Sequence, residues 1–291
     1  MRRCWRASAA LLAVLAPLAA GAQTEVERRV PARAEGTVEI VNVAGSLVVS
    51  GWDREEVEVT GTLGRGIDAL VVRAVRGEVK VEAEPGRSGH QGSAHLEVRV
   101  PHRSRVAVET VSAEVLVAGL EGELDVESIS GPVEVEGDPS AVAVETVSGD
   151  VTVRRARGRV AVETVNGRIT IEGGRDLRAQ SVSGAIVVDG AGEVERAEFG
   201  VVSGRILFAA ALARGAEARL SSHSGAIEVA VPGASAARFE VSSFSGRITN
   251  ELGPPAEKAG RFTPEHKLVF GSGDARVHVE TFSGSVTLRK R

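Results

Sequence analysis

The sequence predicts an all-β chain folded as a single-chain parallel β-solenoid, with coils of 17–21 residues that turn at Ser-Gly corners. Three observations carry this expectation. A motif centred on a Ser-Gly or Asn-Gly pair recurs ten times, with its anchor position at Gly45, Ala113, Gly131, Gly149, Gly167, Gly184, Gly204, Gly225, Gly246 and Gly284. From Ala113 onward the intervals are 18, 18, 18, 17, 20, 21, 21 and 38 residues, the near-constant period of stacked supersecondary units. Three columns of the repeat are apolar in every copy: seven before the anchor (Val38 to Val277), five before it (Ile40 to Val279) and two after it (Leu47 to Val286). The chain beyond its first residues shows no helical 3.6-residue periodicity, and valine with 34 glycines dominates it, as a β-chain requires.

Met1-Arg2-Arg3-Cys4-Trp5-Arg6, the apolar run Ala9 to Ala20 and the small residues Ala20-Gly21-Ala22 predict a signal peptide over residues 1–22, in preference to an uncleaved anchor. Its removal takes Cys4 and three of the 35 Lys+Arg but none of the 39 Asp+Glu, so the formal net charge falls from −4 to −7. The expected address is the periplasm or the exterior, without a transmembrane segment in the mature chain. With no cysteine left, stability must come from packing and backbone hydrogen bonds. A net acidic chain without a basic stripe excludes nucleic acid as a partner.

Gln23 to Glu35 reads as a loose lead-in, and residues 23–105 as irregular N-terminal β coils. Alternating runs at Val57-Glu58-Val59, Leu70-Val71-Val72, Glu78 to Val81 and Leu96 to Val100 mark their strands, and Glu84 to Ala94 a flexible loop. Residues 106–291 read as the regular solenoid, interrupted by an insertion loop at 251–265 with Pro254, Pro255 and Pro264.

The column three before the anchor is mostly hydroxyl (Thr110, Ser128, Thr146, Thr164, Ser181, Ser222, Ser243, Thr281), and the next column is apolar except at His223. Burial of that apolar column beside another inward one predicts a bend, and it places His223 at the core side of its coil. The residue after the anchor varies freely: Ser46, Glu114, Pro132, Asp150, Arg168. A hairpin would pair its flanks on one side of the sheet, so the asymmetry favours an arc over a hairpin meander.

Val144-Glu145-Thr146-Val147-Ser148-Gly149-Asp150-Val151 and its copies, the opening Val41 to Asp53 and the ending Thr281 to Val286 resemble the bacterial β-strand-repeat family known as "putative adhesins", a domain of unknown function. The resemblance spans nearly the whole chain after the signal. It implies a secreted or envelope-associated β-repeat protein without enzymatic activity, and it supplies no site residues.

The expected function is therefore a non-enzymatic extracytoplasmic interaction module, adhesin-like or an envelope scaffold, whose partner is an envelope protein or a polysaccharide. The alternative is a carbohydrate-active β-helix enzyme, a lyase or hydrolase, with Asp125, Glu127, Glu145 and Asp150 as its candidate carboxylates. No catalytic, cofactor-binding or metal residues are assigned. His90, His95 and His102 lack a ligand spacing, and no nucleophile elbow, phosphate loop or calcium repeat is present. One candidate site remains. Glu109, Glu127, Glu145 and Glu163 hold the same outward position in four consecutive copies and should stack into an acidic ladder. A divalent cation or a basic surface would offset its repulsion.

Overall fold

A computed structural model describes residues 24–86, 92–232, 237–255, 257–258, 266–271 and 273–291. The expected signal peptide, the middle of the 84–94 loop with His90, and most of the 251–265 insertion lie outside the described residues. Among the described residues every regular element is a β-strand, and the fold is all-β. Among the described residues no helix is long and apolar enough to cross a membrane.

The middle of the chain is a stack of parallel rungs, one repeat apart. Val106 pairs with Leu124, Leu124 with Val142, Val142 with Val160 and Val160 with Leu177. Equal columns therefore lie over one another, and an apolar column becomes a continuous apolar ridge. Val106, Val126, Val144, Val162 and Ile169 are fully buried, as are the other members of the three apolar columns except Ile248. A fourth inward column, with Val117, Val135, Val153 and Ile171, completes the core. Each such side chain contributes about 1.5–3 kcal/mol of burial before entropy. Glycine at the anchor follows from the same stacking. At Gly131 φ is 113°, and a Cβ there would strike the carbonyl oxygen of Ala113 in the rung below.

The ends depart from the parallel expectation, so the sheet is mixed. Thr37–Trp52 pairs with Arg105–Ala118 on one side and with Glu78–Pro85 and Ala94–Pro101 on the other, all parallel. Beyond these, Ile67–Val75 lies antiparallel on Glu78–Pro85, Glu56–Leu63 on Ala94–Pro101, and Thr24–Pro31 on Glu56–Leu63. Most of the expected loose lead-in is thus an edge strand. It is fastened by the buried Glu58 carboxylate, which accepts hydrogen bonds from Arg29 Nε at 2.7 Å and Arg99 Nη1 at 3.0 Å.

At the other end the copies do not stack in sequence order. Ala275–Thr281 lies between residues 217–222 and Ala237–Ser243, and Val286–Lys290 between residues 227–231 and Ile248–Asn250. The last copy in the chain is therefore the penultimate rung, and the 38-residue interval is the path out to the end and back. His266–Phe270 lies antiparallel against Ala237–Ser243 on the way. Both ends share one physical reason. A stack of parallel rungs ends in a row of unpaired N–H and C=O groups, and antiparallel strands cover that row.

Candidate binding trough

The two columns before each anchor invert the usual arrangement. Thr110, Ser128, Thr146, Thr164 and Ser181 are buried, while Val111, Ile129, Val147, Val165, Val182 and Val202 are 41–53% exposed. The expectation that both columns face the core is corrected. Alternation runs unbroken up to the aliphatic column and breaks only at the next residue, where Val147 and Ser148 are both exposed; the hydroxyls share the parity of the core columns, so the aliphatic column points out. Several hydroxyls are satisfied internally, as Thr110 Oγ1 donates to Ser128 Oγ at 3.0 Å and Thr164 Oγ1 to the Asn166 carbonyl at 3.2 Å. Thr146 and Ser181 have no partner.

His223 is corrected with its column. It is exposed, and its ring stacks on Phe282 with centroids 5.1 Å apart; Phe282 stacks in turn on Phe244 at 4.9 Å. The swapped order of the C-terminal rungs is what brings Phe282 between the other two rings.

Glu109, Glu127, Glu145 and Glu163 lie in one register row, each paired with the next across the parallel ladder. All four are exposed, and none makes an ion pair with another described residue. The row is bounded by Val41, in register with Glu109, and by Gln180, in register with Glu163. At the rung spacing of about 4.8 Å, neighbouring carboxylates repel by roughly 0.9 kcal/mol even in water.

Between this acidic row and the aliphatic row runs a trough of about 860 Å³. It extends from Val41 and Val43 to Val202 and Ser221, and Thr146 and Ser181 line its floor. Carboxylates form one wall and Val or Ile methyls the other. Sequence reasoning placed the acidic wall and missed the aliphatic one, although a hydroxyl column in phase with the core columns was the available signal.

The other candidate groups are not brought together. The Asp150 carboxylate accepts the Arg168 backbone N–H at 2.8 Å, and Asp125 stands exposed outside the trough lining. His95 Nδ1 lies 2.9 Å from Ser46 Oγ, whereas His102 faces the Trp52 carbonyl at 3.1 Å. Among the described residues no group of three or more His, Cys, Asp or Glu side chains is placed to hold a metal ion.

A sequence profile of the family described as Toastrack DUF4097 matches residues 33–289. The chain belongs to this family. That match covers the ladder and the trough of the Toastrack chain and begins just after the edge strand Thr24–Pro31. Solved structures similar to it include a "putative lipid binding protein" from Parabacteroides distasonis, at 13% identity over 91% of this chain and 96% of the other, with a TM-score of 0.45. A "putative adhesin" from the same organism aligns at 13% identity over 92% and 98%, with a TM-score of 0.35. A "putative adhesin" from Bacteroides fragilis aligns at 8% identity over 91% and 97%, with a TM-score of 0.37. No curated protein matches the Toastrack chain.

Proposed function

We propose that this Toastrack protein is a non-enzymatic, extracytoplasmic binding module. In this reading the chain is a β-solenoid with Ser-Gly corners over residues 106–291, interrupted by the 251–265 insertion and preceded by the coils of residues 23–105. Residues 1–22 direct its export to the periplasm or the exterior. Its contact surface is the trough beside Glu109, Glu127, Glu145 and Glu163, and its partner is a polycationic, partly aliphatic component of the envelope.

One observation carries the reading: four stacked, unpaired carboxylates stand beside an uncovered aliphatic row. Folding disfavours both features, the first by repulsion and the second by hydration of methyl groups. A cationic partner with apolar segments relieves both at once, by complementary charge and by covering the Val and Ile side chains. An anionic polysaccharide would add to the repulsion.

Thermal unfolding at low ionic strength tests this with oligolysine, neutral and anionic oligosaccharides, and calcium as probes. Oligolysine should raise the melting temperature of the parent and leave the Glu127→Gln/Glu145→Gln/Glu163→Gln variant unmoved. Equal shifts in the two proteins, or stabilisation by an anionic oligosaccharide alone, would overturn the assignment.

A further inference from the structure

The trough has a length and a period, and together they select a ligand shape. From Val43 to Val202 it crosses seven rungs, about 29 Å at about 4.8 Å per rung. An extended peptide places side chains on one side about every 6.7 Å, and over the three intervals of the acidic row it slips by about 6 Å, more than a rung. A saturated aliphatic chain is about 4 Å across by its carbon contact distance and has no side chains whose repeat must match the rungs.

We infer that the trough binds linear polyamines whose nitrogens are separated by three carbons. The inference rests on the trough being the contact surface and names its ligand. Four bonds of about 1.5 Å at near-tetrahedral angles put successive nitrogens about 5 Å apart, against a rung spacing of about 4.8 Å. Over three intervals the mismatch stays below about 1 Å, so a tetraamine sets one ammonium at each of Glu109, Glu127, Glu145 and Glu163. Its methylenes then lie along Val111, Ile129, Val147 and Val165, the opposite wall. Four-carbon linkers give about 6.2 Å per step and accumulate a slip of about 4 Å, close to a whole rung. The row also has a defined length. Val41 and Gln180 flank the four carboxylates in the register row, with Glu82 beyond Val41 and Glu198 lining the trough past Gln180, and four carboxylates take four ammoniums.

Isothermal titration of the full chain tests the spacing. The probes are the linear tetraamine with three-carbon linkers throughout, its four-carbon counterpart of equal charge, and magnesium. At low salt the three-carbon tetraamine should bind about tenfold more tightly than the four-carbon one, with magnesium weaker than either. Glu127→Gln/Glu145→Gln should weaken the three-carbon tetraamine by about tenfold or more and erase the preference. Ile129→Ser/Val147→Ser should weaken it severalfold and leave magnesium unchanged. Equal affinity for the two tetraamines, a preference that survives Glu127→Gln/Glu145→Gln, or displacement by stoichiometric magnesium would each overturn the inference. Oligolysine stabilisation that depends on the trough without any spacing preference removes the polyamine and keeps the binding surface. Loss of both removes both.

Discussion

Two outward rows of the same rungs treat charge in opposite ways. On the arm after the anchor, charges alternate from rung to rung: Arg154 pairs with Glu134 on one neighbour and with Glu172 on the other at 3.7 Å, and Arg155 pairs with Glu136 at 2.6 Å. On the arm before the anchor, Glu109, Glu127, Glu145 and Glu163 repeat the same charge beside a row of exposed methyls. Parallel stacking makes either outcome available, because whatever occupies a column is repeated every 4.8 Å or so. The first face satisfies itself. The second is left unsatisfied by folding, and that difference marks it as the surface that meets something else.

The largest effect should come from crossing between inside and outside. Ile169→Ala, in the core, should cost about 2–5 kcal/mol in denaturant unfolding, while Ile129→Ala, on the aliphatic row, should stay within about 0.5 kcal/mol. Comparable costs at the two positions would mean that the aliphatic row is packed rather than free.

Next comes the N-terminal cap. Glu58→Gln should cost about 2 kcal/mol, because hydrogen bonds to a charged acceptor are lost. Arg29 and Arg99 are about half exposed and rehydrate, which keeps the loss below that of a fully buried pair. Hydrogen exchange should localise the damage to Thr24–Pro31 and Glu56–Leu63 and spare the middle rungs.

A smaller pair of changes should differ in sign between the faces. Arg154→Ala should lower stability by up to about 1 kcal/mol, since it removes the cation between Glu134 and Glu172. Glu145→Gln should raise stability by several tenths of a kcal/mol at low salt, and the gain should fade as salt screens the row. Melting curves of both variants across a salt series check the signs.

Lys80 supplies the smallest effect. Its hydrogen bond to Glu39 at 2.8 Å, with Glu82 and Glu109 nearby, holds its ammonium above the ordinary 10.5. A pKa raised by folding stabilises fully below the ordinary lysine value and is lost as pH climbs through the raised one. Lys80→Met should therefore remove a slight alkaline loss of melting temperature above about pH 10.

Much of this organisation was legible in the residues. The three apolar columns were identified from identity alone because core burial tolerates no polar member, and the register of the acidic row follows from a constant period. The aliphatic row was misplaced for the complementary reason. Val and Ile suit a core as well as a surface row, and Thr146 and Ser148 bracket Val147 with hydroxyls of opposite burial, so residue identity does not say which side Val147 faces. His223 followed its column into the same error. The exchange of the last two rungs left no trace in composition, since Val277 and Val279 fit equally well against Ala218 and Leu220 or Phe239 and Val241.

Carboxyl footprinting tests the central claim most directly. The full chain is labelled with a carbodiimide in the presence and absence of oligolysine at low salt, and modification is read at each glutamate by mass spectrometry. The account predicts protection at Glu109, Glu127, Glu145 and Glu163 with no change at Glu134, Glu136 and Glu172. Protection spread evenly over both arms, or confined to the arm after the anchor, would contradict it.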